Sequence, residues 1–112
     1  MKNKHKALKK NERKALLTLK NFLSANFELL DFRIFGSKIR NENTIESDID
    51  VMVVLGKINP QIESQIDDII FEVNLENDCF ISAIIFSQKE LEEGPLDESP
   101  IYKVIKKEGV PI

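Results

Sequence analysis

Phe35-Gly36-Ser37 closes one apolar strand, and after ten further residues Asp48-Ile49-Asp50-Val51 opens the next. No other feature constrains this chain as tightly, because a small-residue turn must face a pair of carboxylates. Residues two apart on a strand point to the same side, roughly 6.5–7 Å apart along the chain. Asp48 and Asp50 therefore share a face, and two like charges held there ask for a cation. The Gly36-Ser37 turn has no bulky Cβ at its corner and can aim backbone N–H groups at a phosphate. A plainer reading also fits the same residues: Asp48 caps a local turn and Asp50 is a solvated strand position.

The hydropathy pattern around this feature gives an order of elements. From about Asn11, Ala15, Leu16, Leu19, Phe22 and Leu23 recur at helical spacing and predict an amphipathic helix ending near Asn26. Leu30, Phe32 and Ile34 alternate with Asp31 and Arg33, the pattern of a strand finishing at Phe35. A second strand runs from Asp48 to Leu55. Both of its faces are apolar after Asp50, so it is expected to be central and covered on both sides. Asn59-Pro60 is a helix start, a capping side chain followed by a proline at the first helical position. Ile62, Ile66, Ile69, Ile70 and Val73 then form one stripe.

Cys79 to Phe86 predicts a third strand, apolar apart from Ser82. Ser87-Gln88-Lys89-Glu90 has capping-box spacing, and Gly94-Pro95 limits the helix behind it to two turns. Ser99-Pro100 opens a last helix that Gly109 terminates. The expected fold is α/β (α+β): a small mixed sheet of about three strands with helices packed on it, the first two strands being neighbours.

At 112 residues there is room for one core. Residues 1–10 read as a basic arm and 11–112 as a single domain. Net charge is −3, yet residues 1–20 hold eight Lys/Arg against Glu12, a balance of +7 that leaves −10 for the rest. Such an arm suits nucleic acid, an acidic partner or a nucleotide's phosphates, or is a solvated lead-in to the first helix. It has no aromatic residue for base stacking and the body is acidic, which disfavours nucleic acid. Cys79, the one cysteine, lies in an apolar run and reads as a small buried hydrophobe. His5 has no second ligand near it. No apolar run approaches the roughly 18 residues of a membrane span, and the lysines at the start have no apolar stretch behind them. A cytoplasmic location without membrane contact is expected.

Carboxylates for Mg²⁺ beside a phosphate cradle suit phosphoryl or nucleotidyl transfer. Here the residues resemble a known family. Gly36-Ser37-Lys38-Ile39-Arg40-Asn41 followed by Ser47-Asp48-Ile49-Asp50-Val51 is similar to the signature of the minimal nucleotidyltransferases, in the DNA polymerase beta superfamily. That signature is usually Gly-Ser-x-Ala-Arg-Gly, a short loop, then Ser-Asp-Ile-Asp-Leu. The match is strong over residues 34–55 and weaker to Lys107-Glu108-Gly109-Val110, which resembles the family's closing segment.

The resemblance implies a nucleotidyltransferase fold and a mechanism. Asp48 and Asp50 would be catalytic, holding one or two Mg²⁺ ions on ATP as the substrate. Gly36, Ser37, Lys38 and Arg40 would bind its phosphates, and the arginine can do so bidentately. Ile39 and Asn41 depart from the pattern, although asparagine tolerates a left-handed turn. The larger departure is the third carboxylate, which the family carries on its third strand where this chain aligns Ser82. Asp78 shares that parity but lies roughly 13 Å away, and Glu72 and Glu76 have no better claim.

Two functions follow from the resemblance. One is transfer of a nucleoside monophosphate, AMP from ATP, to an acceptor hydroxyl, for which a helical HEPN-type partner, as in toxin–antitoxin pairs, is one candidate the resemblance implies. The other is a binding module that has lost turnover and docks such a partner. So short a chain lacks the helical domain with which larger relatives position substrate, so acceptor or partner would complete the site.

Overall fold

The computed structural model describes residues 8–35, 48–93 and 100–111. Helix α1 (Lys10–Asn26) leads into strands β1 (Leu29–Phe35) and β2 (Ile49–Leu55). Helix α2 (Pro60–Asn77) crosses over to β3 (Ile81–Ser87), and the short α3 (Gln88–Glu93) follows. Helix α4 (Pro100–Glu108) ends in β4 (Val110–Pro111). The strands form one sheet in the order β3-β2-β1-β4. β1 runs antiparallel to β2 and β4, while β2 and β3 are parallel. The class is the expected mixed α/β sheet, but with four strands instead of about three. The addition, β4, pairs Ile34 with Val110 and Arg33 with Pro111. Two residues are too few to show a period-two pattern, and a proline is tolerated on an edge strand.

Local chemistry explains where the helices begin and end. At the start of α1 the Lys9 N–H donates to Glu12 Oε1 at 2.9 Å, which satisfies one of the helix's orphan donors. At α2 the Asn59 Oδ1 accepts the Ile62 N–H at 2.8 Å, with Pro60 as first residue. That helix stops where Asp78 takes a left-handed conformation, φ 52°. The Cys79 N–H then closes onto the Asn74 carbonyl at 3.1 Å. The strand expected from Cys79 therefore starts at Ile81, because Cys79 and Phe80 are used in leaving the helix. Before α3, Ser87 Oγ accepts the Glu90 N–H at 3.1 Å and the Ser87 N–H donates to Glu90 Oε1 at 3.3 Å, the expected capping box. At Gly109 a Cβ would run into the Ile105 carbonyl oxygen, which the Gly109 N–H already reaches at 2.7 Å.

β2 is central, and its two faces feed two cores. Ile49, Val51, Val53 and Leu55 pack under α1 and α2 with Leu16, Leu19, Leu23, Ile66 and Val73. Met52 and Val54, on the opposite face, pack with Phe86 and Ile105 against Tyr102, Leu91 and Ile84. Each such side chain fully buried stabilises the fold by about 1.5–3 kcal/mol. Cys79 is buried in the first core, as its apolar setting predicts. On the second face Asp31 links β1 to α4. It binds Arg33 Nε at 2.9 Å and Lys106 Nζ at 3.5 Å, while Arg33 Nη1 donates to the carbonyls of Lys106 and Gly109.

Candidate active site

Asp50 occupies the second position of β2, on the face of Met52 and Val54. Antiparallel pairing sets Phe35 beside it on one side, and parallel pairing sets Ser82 beside it on the other. Phe35, Asp50 and Ser82 thus form one row across three strands. Neighbouring strands lie about 4.7–4.9 Å apart, so the three positions are adjacent. The next row inward is Arg33, Met52 and Ile84, whose last two members begin the apolar floor of the second core. The Asp pair therefore marks where this face of β2 changes from packed to open.

Asp48 immediately precedes β2 and is exposed, while Asp50 is half-buried. Burial pushes the Asp50 carboxyl above the usual carboxylate range, and the charge of Asp48 adds to the shift. The two groups therefore feel each other, as their shared parity predicts. Among the described residues no hydrogen-bond donor or cation pairs with either carboxylate. A half-buried carboxylate with a like charge beside it is biased toward accepting a proton or a cation.

Oxygen donors in this arrangement suit a hard divalent ion. Mg²⁺ is commonly held by one or two protein carboxylates, with water and substrate phosphates as the remaining ligands. Asp48 and Asp50 fit that requirement as far as it goes. Among the described residues, no group of three or more acidic, histidine or cysteine side chains is placed to hold a metal.

The expected place for a third carboxylate holds Ser82, which is exposed and in register with Asp50. The other acids considered are not brought there. Asp78 caps α2 before β3 begins. Glu72 and Glu76 ride on α2, which packs over the face opposite to Asp50. The phosphate-binding candidates Gly36, Ser37, Lys38 and Arg40 lie outside the described residues, although the strand ends that flank them meet at Phe35 and Asp50. The Asp31–Arg33–Lys106 link shares this face of the sheet and was not legible beforehand. Asp31 and Arg33 are two residues apart, but their contacts to Lys106 and Gly109 span 73 to 76 residues of sequence, and no short motif connects them.

The described residues thus give a strand pair with carboxylates at its open end, on a mixed sheet under two helices. Residues 16–110 match the family model described as "Nucleotidyltransferase domain", and the chain belongs to that family. The family fits the resemblance to the minimal nucleotidyltransferases that residues 34–55 carry. The chain is also similar to a protein from Sulfolobus solfataricus whose name gives nucleotidyltransferase as its proposed activity. The two are 16% identical, with a TM-score of 0.46 over 93% of this chain and 87% of that one. None of the curated proteins matches. Among the described residues no helix is long and apolar enough to cross a membrane.

Proposed function

We propose that this chain transfers a nucleoside monophosphate, AMP from ATP, to an acceptor hydroxyl on a partner protein in a Mg²⁺-dependent reaction. The observation that carries the proposal is the Asp48–Asp50 pair at the open end of β2, Asp48 exposed and Asp50 half-buried, with no counter-charge among the described residues. Asp48 and Asp50 would hold the metal against the triphosphate, and the row from Phe35 to Ser82 would form the surface beneath it. When bound, Mg²⁺ neutralises charge on the phosphate under attack. Gly36, Ser37, Lys38 and Arg40 would bind the departing pyrophosphate, by backbone N–H groups and two cations. The partner is a helical HEPN-type protein of a toxin–antitoxin pair, in the cytoplasm. That identity rests on fold-level likeness alone.

A second reading is favoured by Ser82. With a hydroxyl in place of a carboxylate beside Asp50, the site lacks the group that would take the acceptor's proton or complete the metal shell. The chain would then bind ATP and dock its partner with little turnover. Incubation with Mg²⁺, ATP labelled at the α-phosphate and the helical partner separates the readings. Label transferred to the partner, and lost in Asp48→Asn/Asp50→Asn, supports the enzyme. Partner binding without label transfer, with or without ATP, supports the module, and absence of both ATP binding and partner binding removes both readings.

A further inference from the structure

The outer surface of the helical layer has an order that the Asp48–Asp50 site does not use. α1 and α2 lie antiparallel on the first face of the sheet, since Asn11 near the start of α1 donates to the Asn77 carbonyl at the end of α2 at 2.7 Å. Their charges are segregated. α1 exposes Lys10, Arg13 and Lys14, while its single acid, Glu12, is buried at the helix start. α2 exposes Glu63, Asp67, Asp68, Glu72 and Glu76 and contains no lysine or arginine. Lys10, Arg13 and Lys14 on α1, and Glu63, Asp67, Asp68, Glu72 and Glu76 on α2, form no ion pair among the described residues. The last turn of α2 has no basic residue, so its negative dipole end adds to the charge of Glu72 and Glu76.

The same surface leaves three large apolar side chains in water. Leu17 on α1 is 43% exposed, and Phe71 and Leu75 on α2 are 68% and 73% exposed. Leu17 lies two helical turns beyond Lys10, while Phe71 and Leu75 alternate with Glu72 and Glu76. The surface thus contains both halves of a complementary pair, each with an apolar centre.

We propose that this helical face is an interface between two copies of the chain. The two copies are related by a two-fold axis parallel to the helices, so that α1 of each lies on α2 of the other. Because α1 begins where α2 ends, this operation sets Lys10 and Lys14 of one copy over Glu72 and Glu76 of its partner. Leu17 then approaches the partner's Phe71. Both contacts arise from one symmetry operation, the rule for an isologous dimer. A head-to-head stacking of α2 on α2 would instead oppose like charges. Two helices of this length cover roughly 26 Å by 20 Å in plan. Counted over both partners, that footprint reaches the area of about 1,000 Å² that a specific interface needs. Asp48 and Asp50 stand on the other side of the sheet, so the sites of both copies remain open.

Sedimentation equilibrium of the full chain tests the interface. At about 100 μM in low salt the chain is expected at twice its monomer mass, and added salt is expected to shift it toward monomer. Lys10→Glu/Lys14→Glu and Glu72→Lys/Glu76→Lys should each be monomeric, with circular dichroism confirming that both are folded. Mixed, the two variants should pair again, because each contact in the heterodimer then joins opposite charges. A wild-type monomer under these conditions, a dimer unmoved by either double substitution, or a mixture that stays monomeric would each overturn the proposal. So would a different protein that occupies this face while the chain itself remains monomeric.

Discussion

The two faces of β2 are built from one strand and treat water differently. Toward α1 and α2 every position from Ile49 to Leu55 is buried, so that face serves only to hold the fold together. Toward α4 the packing stops at Met52, and the strand continues into Asp50 and then Asp48. A face covered along its whole length can carry no chemistry that needs a substrate. The face left half-covered spends stability on a desolvated carboxylate and leaves that carboxylate able to bind. The difference lies in how far each helical cover extends along the strand, since the backbone is common to both faces.

The largest effect should come from the open face. Asp48→Asn/Asp50→Asn should lower transfer, or ATP affinity in the presence of Mg²⁺, by at least about 10³-fold, because several kcal/mol of charge stabilisation are lost. Thermal unfolding should remain cooperative, and a collapse of the fold would show that the pair is structural. The covered face should behave oppositely. Leu16→Ala removes a fully buried side chain and should cost about 2–5 kcal/mol in a urea titration. ATP binding should survive wherever the variant is still folded.

Ser82→Asp adds a carboxylate to the row of Asp50 on the open face. Turnover measured with labelled ATP should rise about 10²-fold if the site lacks a base or metal ligand. Unchanged turnover in a folded Ser82→Asp variant would mean that the position is not limiting. The smallest effect concerns stability and pH. The Asp50 carboxyl titrates above its unfolded value, so its contribution is fully present in acid and is lost as pH rises through the folded value. Asp50→Asn should therefore unfold at a higher temperature than the wild type at neutral pH without metal. The gap should close as pH falls toward the ordinary carboxylate range. A variant less stable than wild type at neutral pH would contradict the burial argument.

Much of this was legible in the sequence because it is written locally. Helix starts at Asn59 and Ser87 depend on a side chain three residues from the donor or acceptor it meets, and the stripe from Ile62 to Val73 follows a fixed period. The register that sets Ser82 beside Asp50 was reached by family alignment, and the parallel β2–β3 ladder agrees with it. What was not legible depends on partners distant in the chain. β4 is two residues long and exists because β1 offers it an edge. The Asp31–Arg33–Lys106 link joins ordinary surface-type charges that only the closed fold brings together. β3 begins two residues later than the apolar run from Cys79 predicts, because hydropathy does not show that Cys79 and Phe80 are consumed in leaving a left-handed cap.

That long-range link has a consequence for the order in which the molecule is made. Arg33 emerges from the ribosome 73 residues before the carbonyl it binds on α4. At roughly 5–20 residues per second this delay is about 4–15 s. During it the first face can already close, since α1, β1, β2 and α2 come in succession. Met52 and Val54 meet Phe86 and Leu91 in that time but must wait for Ile105 and Tyr102 to complete their cover. Chains arrested before Pro100 should bind a hydrophobic dye that chains extended through β4 release. Equal dye binding by both would show that α4 is not what covers the second face. The nascent protein therefore spends its most adhesive seconds with its functional side incompletely covered, and a chaperone meeting it then would grip the face that later carries the substrate.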